Sequence, residues 1–176
     1  MSDTDGVEAA LDEIDLRLLD ALQSDARLPQ SALGSRVGLS TAAVNRRLRR
    51  LTETGVISGT AVTVAPEKLG RPVRVIAQVA VESEQLEKLD ALRSALTARP
   101  EVQQCYYVAG EWDFILILIV RDMGEYTALT RELFFGNDNV RRFSTHVVMD
   151  AAKVGLTVAL NPTPPGPRTS QSPKTT

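Results

Sequence analysis

The spacing of apolar residues shifts from a helical to a strand-like period partway along this chain. Leu11, Ile14, Leu18, Leu19 and Leu22 recur at three- and four-residue steps, which predicts a helix with one buried stripe. Pro29 interrupts the series, Ser31 is placed to cap a short second helix carrying Ala32, Leu33 and Val37, and Gly38 ends it. A third helix starts at Ser40 or Thr41, turns Val44, Leu48 and Leu51 inward, and stops near Gly55. The run VISGTAVTV that follows is rich in β-branched residues around Gly59 and predicts two short strands and a turn, the layout of a wing.

PEKLGRP, with two prolines and a glycine, reads as a connection. Beyond it Val73 to Val81 predicts a strand, and the stripe Leu86, Leu89, Leu92, Ala95 and Leu96 predicts a helix ending before Pro100. Val102 to Val108 and Asp113 to Val120 read as strands joined through AGEW, Met123 to Phe135 as a helix, and Val140 to Met149 as a strand, with a further strand from Val154 to Ala159. The order βαββαβ predicts the ferredoxin-like arrangement, helices on one face of an antiparallel sheet. The expected fold class is therefore α+β, a winged helix-turn-helix followed by a ferredoxin-like domain. The expected boundaries are a flexible N-terminus over 1–10, the helix-turn-helix unit over 11–65, a linker over 66–72, the βαββαβ unit over 73–160, and a disordered Pro/Ser/Thr-rich tail over 161–176.

One strand departs from its expected pattern. FILILIV, Phe114 to Val120, does not alternate, whereas a strand with one solvated face does. Two helices cover one face, so a second subunit is the simplest cover for the other, and a homodimer is expected. The rival cover is the C-terminal strand or another loop folding back.

Composition narrows the setting. With 176 residues, 43% hydrophobic and 24% charged, the chain has an ordinary globular balance, and its net charge of -2 excludes a protein that is basic everywhere. Cys105 is the single cysteine, so neither an intramolecular disulfide nor a CxxC metal site is available. The acidic opening MSDTDGVEAALDE is no secretory signal, and no apolar run approaches the ~20 residues of a membrane-crossing helix. A soluble cytoplasmic protein without a membrane partner is expected.

Charge is concentrated on the third helix, where four arginines fall between Arg46 and Arg50. At 100° per residue, Ala42, Arg46, Arg49 and Glu53 lie opposite the inward stripe, flanked by Asn45 and Arg50. Arginine and asparagine are the side chains that bond guanine and adenine bidentately in the major groove. With Ser40 and Thr41 at the helix start, the expected DNA-binding set is Ser40, Thr41, Ala42, Asn45, Arg46, Arg49 and Arg50. The competing reading is a solvated, salt-bridged face. The short helix and glycine turn before it and the wing-like run after it favour DNA. Arg47 lies nearer the inward stripe and is expected to pair with an acidic residue.

VAGEWDF sets Gly110 and Asp113 at a tight connection, where a backbone N–H or a carboxylate meets the charged ends of an amino acid, or where both merely make a turn. His146 is the sole histidine and Cys105 reads as a small core residue. No GxGxxG, P-loop, nucleophile elbow or HExxH is present, so no catalytic residue, metal or cofactor is assigned and no enzyme activity is expected.

LDEIDLRLLDALQSDAR, LGSRVGLSTAAVNRRLRRLTETGVISG and VAGEWDF together resemble the Lrp/AsnC, or feast/famine, family of transcription regulators over about Leu11 to Leu160. The resemblance implies a bacterial or archaeal, nucleoid-associated regulator whose second (RAM) domain dimerises and assembles further, for example into an octamer, with an amino acid or related metabolite bound between subunits. Matched residue by residue, it implies an effector-binding set of Tyr107, Gly110, Asp113, Met123, His146, Val147 and Val148. Thr52, Thr60 and the proline-rich tail depart from the family pattern. Two other functions stay open at this point: a small-molecule-binding metabolic enzyme subunit, and a DNA-organising protein with weak effector response.

Overall fold

The computed structural model describes residues 11–160; the expected flexible N-terminus and disordered tail lie outside the described residues. The chain forms two compact units, one of residues 11–62 with 155–160 and one of Thr63–Val154.

The first unit holds α1 (Glu13–Ser24), α2 (Gln30–Val37) and α3 (Thr41–Glu53). Their apolar stripes meet in a core of Leu18, Ala21, Leu33 and Val44, with Ile14, Leu22, Val37, Leu39 and Leu48 packed around it. Leu51 is also fully buried. The turn between α2 and α3 depends on Gly34. A Cβ there would stand 2.4 Å from the Leu39 carbonyl oxygen, which accepts no such neighbour, while Leu39 N–H donates to the Gly34 carbonyl at 2.9 Å. Helix α2 begins one residue before the expected cap: Pro29 occupies the N-cap without a side-chain bond, and Ser31 lies inside the helix. Proline already fixes the backbone torsion suited to a helix start, so no hydroxyl is needed.

The wing expected from VISGTAVTV does not form strands in this chain. Residues 58–65 run without helix or strand, and Val62 and Val64 are exposed. An isolated two-stranded hairpin is marginal in water, and among the described residues no apolar surface covers Val62 and Val64. The expected strand from Val154 to Ala159 is likewise absent; instead Gln23 clasps the backbone of Val158, its Nε2 donating to the carbonyl at 3.0 Å and its Oε1 accepting from the N–H at 2.7 Å.

The second unit follows the predicted order: β1 (Val73–Val81), α4 (Leu86–Thr97), β2 (Val102–Tyr107), β3 (Phe114–Val120), α5 (Met123–Thr130, continued by a π-helical turn over Arg131–Phe135) and β4 (Val140–Val147). The sheet runs β2-β3-β1-β4 with every neighbour antiparallel. Val75, Ala77 and Val79 of β1 and Phe114, Leu116, Leu118 and Val120 of β3 are fully buried against Leu92 and Leu96 of α4 and Leu129 of α5. The residues between them, Ile115, Ile117 and Ile119, are only half-buried. The second apolar face of β3 is therefore present, and it is open within one subunit.

Candidate nucleic-acid interface and effector region

Helix α3 is capped at its N-terminus and leaves one face exposed. Ser40 caps it, its Oγ accepting from Ala43 N–H at 3.3 Å, and Thr41, Ala42, Asn45, Arg46 and Arg49 are exposed. Among the described residues Asn45, Arg46 and Arg49 have no side-chain hydrogen-bond or ion-pair partner within the chain. The helix thus presents two uncommitted guanidinium groups and a carboxamide beside the small Ala42. That is the donor set for base edges and phosphates in a major groove.

Arg47 and Arg50 are placed differently. Asp12 and Asp15 form a reciprocal capping box at the start of α1: Asp12 Oδ1 accepts from Asp15 N–H at 2.8 Å, and Asp15 Oδ2 accepts from Asp12 N–H at 3.2 Å. The same carboxylates hold α3. Arg47 Nη1 donates to Asp12 Oδ2 at 2.6 Å and to Asp15 Oδ1 at 2.9 Å, and Arg50 donates to Asp15 Oδ2. Asp15 is 0% exposed, so these are charge-assisted bonds in a protected site. The Asp15 backbone N–H, then Arg47, hold the Asp12 carboxyl below its ordinary range, and the two aspartates hold the Arg47 proton more tightly than usual, Asp12 first. Arg47 pairs with acidic residues as its position on the wheel predicts. Arg50, expected on the DNA-facing flank, is corrected to the same clamp. Its backbone angle on the wheel is shared with the flank, but Asp15 draws the flexible side chain inward.

The effector residues divide into two groups at opposite ends of the sheet. Tyr107 pairs with Phe114, which pairs with Val79; its ring packs on Phe114 at 5.2 Å. Gly110 takes φ 143 in the β2–β3 turn, a conformation that side chains disfavour. Asp113 closes that turn onto β1. Its Oδ2 accepts from Val81 N–H at 2.7 Å, at the point where β1 and β4 shift register, and its own N–H donates to the Val79 carbonyl at 2.9 Å. The Asp113 carboxylate, expected to receive an ammonium group, thus already serves a backbone donor. Beside it Arg142 of β4 lies 4.3 Å from the Trp112 ring centre and 2.8 Å from Glu111, strapping the turn to the sheet edge.

Val147 pairs with Val75, and Val148 N–H donates to the Arg74 carbonyl, at the other end. Met123 opens α5, three residues after Val120, whose partner is Val73. Val75 and Val79 are four residues apart, about 13 Å along a strand. His146 stands between the groups on the open face, its Nε2 3.0 Å from Gln78 Oε1. One subunit therefore does not gather the set into one pocket. A cleft of about 230 Å³ at the second end is lined by Arg71, Arg74, Ile119, Val148, Met149 and Asp150, and includes only Val148 of the expected set.

Among the described residues no three His, Cys, Asp or Glu side chains are grouped to hold a metal ion, and no helix is long and apolar enough to cross a membrane. Cys105 packs against the sheet core, and burial pushes its thiol above the ordinary range. The residues that sequence reading missed are Asp12, Asp15, Gly34, Glu111 and Arg142. Of these only Asp12 and Asp15 carry a local signal, the acidic capping-box spacing at a helix start.

Comparison with known proteins agrees with both units. Residues 11–58 match a winged helix-turn-helix DNA-binding model, and residues 74–157 match the Lrp/AsnC ligand binding domain. The chain is 41% identical over 150 residues to an uncharacterized HTH-type transcriptional regulator of Sinorhizobium fredii, covering 85% of this chain and 89% of that protein. It is 33% identical over 144 residues to the leucine-responsive regulatory protein of Haemophilus influenzae, covering 82% and 87%. An AsnC family transcriptional regulator from Agrobacterium tumefaciens superposes with a TM-score of 0.80 at 28% identity, covering 85% of this chain and 97% of that one. A basic exposed helix on a three-helix unit, a βαββαβ unit with an open apolar face, and these likenesses over more than four fifths of the chain lead to one conclusion: the chain belongs to the Lrp/AsnC family of DNA-binding transcription regulators.

Proposed function

We propose that this regulator reads its operator with Ala42, Asn45, Arg46 and Arg49, and that Ser40 and Thr41 at the helix start face the DNA backbone. The observation that carries the reading is the exposure of Arg46 and Arg49 without partners on a helix whose other two arginines are committed. Ile115, Ile117 and Ile119, with Ile76 beside them, are the surface for a second copy, which gives the operator two reading helices related by a two-fold axis. The effector is an amino acid or a related metabolite. The name of the leucine-responsive relative supports that class, and the separation of Tyr107, Gly110 and Asp113 from Met123, Val147 and Val148 supports a site completed between subunits. The protein acts beside the chromosome, in the cytoplasm, as a regulator and not as an enzyme.

The test is an electrophoretic mobility shift on DNA upstream of this protein's own gene, with and without a panel of free amino acids. A specific shift altered by one amino acid, and abolished in the Arg46→Ala/Arg49→Ala double variant, is the expected outcome. Equal binding by the double variant overturns the assigned face.

A further inference from the structure

The four arginines of α3 are not equivalent, and the difference has a source outside the helix. Arg46 and Arg49 are exposed, whereas Arg47 and Arg50 share Asp12 and Asp15. We propose that Asp12 and Asp15 are specificity-determining residues, which withhold Arg47 and Arg50 from DNA phosphates and so limit sequence-independent binding while leaving the reading face free. The proposal rests on the reading of α3 as the DNA-contacting helix.

Three observations carry it. Asp15 is 0% exposed and accepts from Arg47, Arg50 and the Asp12 backbone N–H, so withdrawing both guanidinium groups would leave a buried charge without cationic partners. A phosphate competing for them must meet that cost, whereas Arg46 and Arg49 impose none. Arg47 is bound at 2.6 and 2.9 Å by two separate carboxylates, one on each side of the capping box. Finally, both side chains remain partly accessible, 25% for Arg47 and 41% for Arg50, so they stand near enough to the surface to serve a phosphate once released.

The consequence is a difference in counterion release. Sequence-independent affinity grows with the number of phosphates neutralised, and each one steepens the dependence of log K on log salt by about 0.9. A helix with all four arginines available binds any duplex more tightly and loses discrimination, since specificity is a ratio of the two affinities.

The experiment measures binding of the full chain to a random-sequence duplex by fluorescence anisotropy between 50 and 200 mM KCl. The Asp12→Asn/Asp15→Asn variant is expected to bind this duplex more tightly at low salt, with a slope steeper by about 0.9 for each arginine released; asparagine retains the N-cap. Arg47→Gln, which leaves Arg50 on Asp15, is expected to keep the wild-type slope, whereas Arg49→Gln flattens it by about 0.9, a change of about 3.5-fold in affinity across that salt range. A slope lowered as much by Arg47→Gln as by Arg49→Gln overturns the proposal, even if the aspartate variant fails to fold. So does an unchanged slope in a folded aspartate variant. If Arg49→Gln and Arg46→Ala/Arg49→Ala leave binding to the duplex untouched, it is instead the underlying assignment of α3 to DNA that falls.

Discussion

Replacing Asp113 with alanine separates two roles that the same residue could hold. In the structure its carboxylate accepts from Val81 N–H at 2.7 Å, and Val81 is 6% exposed, so water does not replace the lost acceptor. A hydrogen bond to a charged group contributes about 1.5 to 3 kcal/mol, and an orphaned buried donor costs a similar amount; about 2 to 3 kcal/mol is the expected loss for Asp113→Ala. For a unit the size of Thr63–Val154 this lowers Tm by roughly 8 to 24 °C, at 4 to 8 °C per kcal/mol. Asp113→Asn keeps an acceptor in place and is expected to lose only about 1 kcal/mol. The assay is thermal unfolding at fixed protein concentration, followed by far-UV circular dichroism and by fluorescence of Trp112, the sole tryptophan and the immediate neighbour of Asp113. If Asp113→Ala unfolds at the wild-type temperature yet no longer responds to any amino acid in a calorimetric panel, the clasp is refuted and the carboxylate is a ligand.

Three further outcomes follow from the geometry. Gly34→Ala places a methyl group 2.4 Å from a backbone oxygen that no rotamer change can move, and is expected to destabilise the first unit by about 1 to 3 kcal/mol in urea titration; an unchanged midpoint would contradict the close approach. Ile117→Glu puts a charge in the middle of the open sheet face and should shift the oligomer toward monomer in light scattering, without loss of helical signal, whereas an unaltered mass would place the subunit contact elsewhere. Acid sensitivity follows from two depressed carboxyls, Asp12, bound by the Asp15 N–H and Arg47, and Glu125, bound by the Arg121 N–H and side chain. A folded pKa below the unfolded one contributes stability that is complete above the ordinary values of 3.8 and 4.5 and disappears as pH falls below them. Unfolding free energy is therefore expected to fall below about pH 4.5, first in the second unit, and a flat profile from pH 5 to 3 would contradict both shifts.

Local pattern revealed what depends on local pattern. The inward stripe Val44, Leu48 and Leu51 orients α3 because helical period alone decides which residues share a face, and the apolar run of β1 gives that strand its observed bounds, while β3 starts one residue later than expected and α5 passes into a π-helical turn after Thr130. No strands form after α3 because the β-branched residues of VISGTAVTV state a preference for extended backbone and say nothing about a partner strand. FILILIV signals burial on both faces, but one subunit satisfies only the face carrying Phe114, Leu116 and Leu118. The site is less legible because its decisive bonds span long separations. Asp15 and Arg50 are 35 residues apart, and Asp113 and Val81 are 32 apart. The wheel sets Arg47 nearer the inward stripe than Arg46 or Arg49, but no window of sequence shows that Asp15 also ties down Arg50.

Asp15 completes the capping box of one helix and holds two arginines of another through a single pair of oxygens, and this constrains how such a regulator can diverge. A change at that position alters the start of α1 and the partners of Arg47 and Arg50 at once. Ala42, Asn45, Arg46 and Arg49 carry no such obligations. On the proposed reading, descendants that acquire new operators vary those four positions and keep the frame formed by Asp12, Asp15, Arg47 and Arg50. On that reading the helix is divided into letters that can be rewritten and a spine held by two aspartates of another helix.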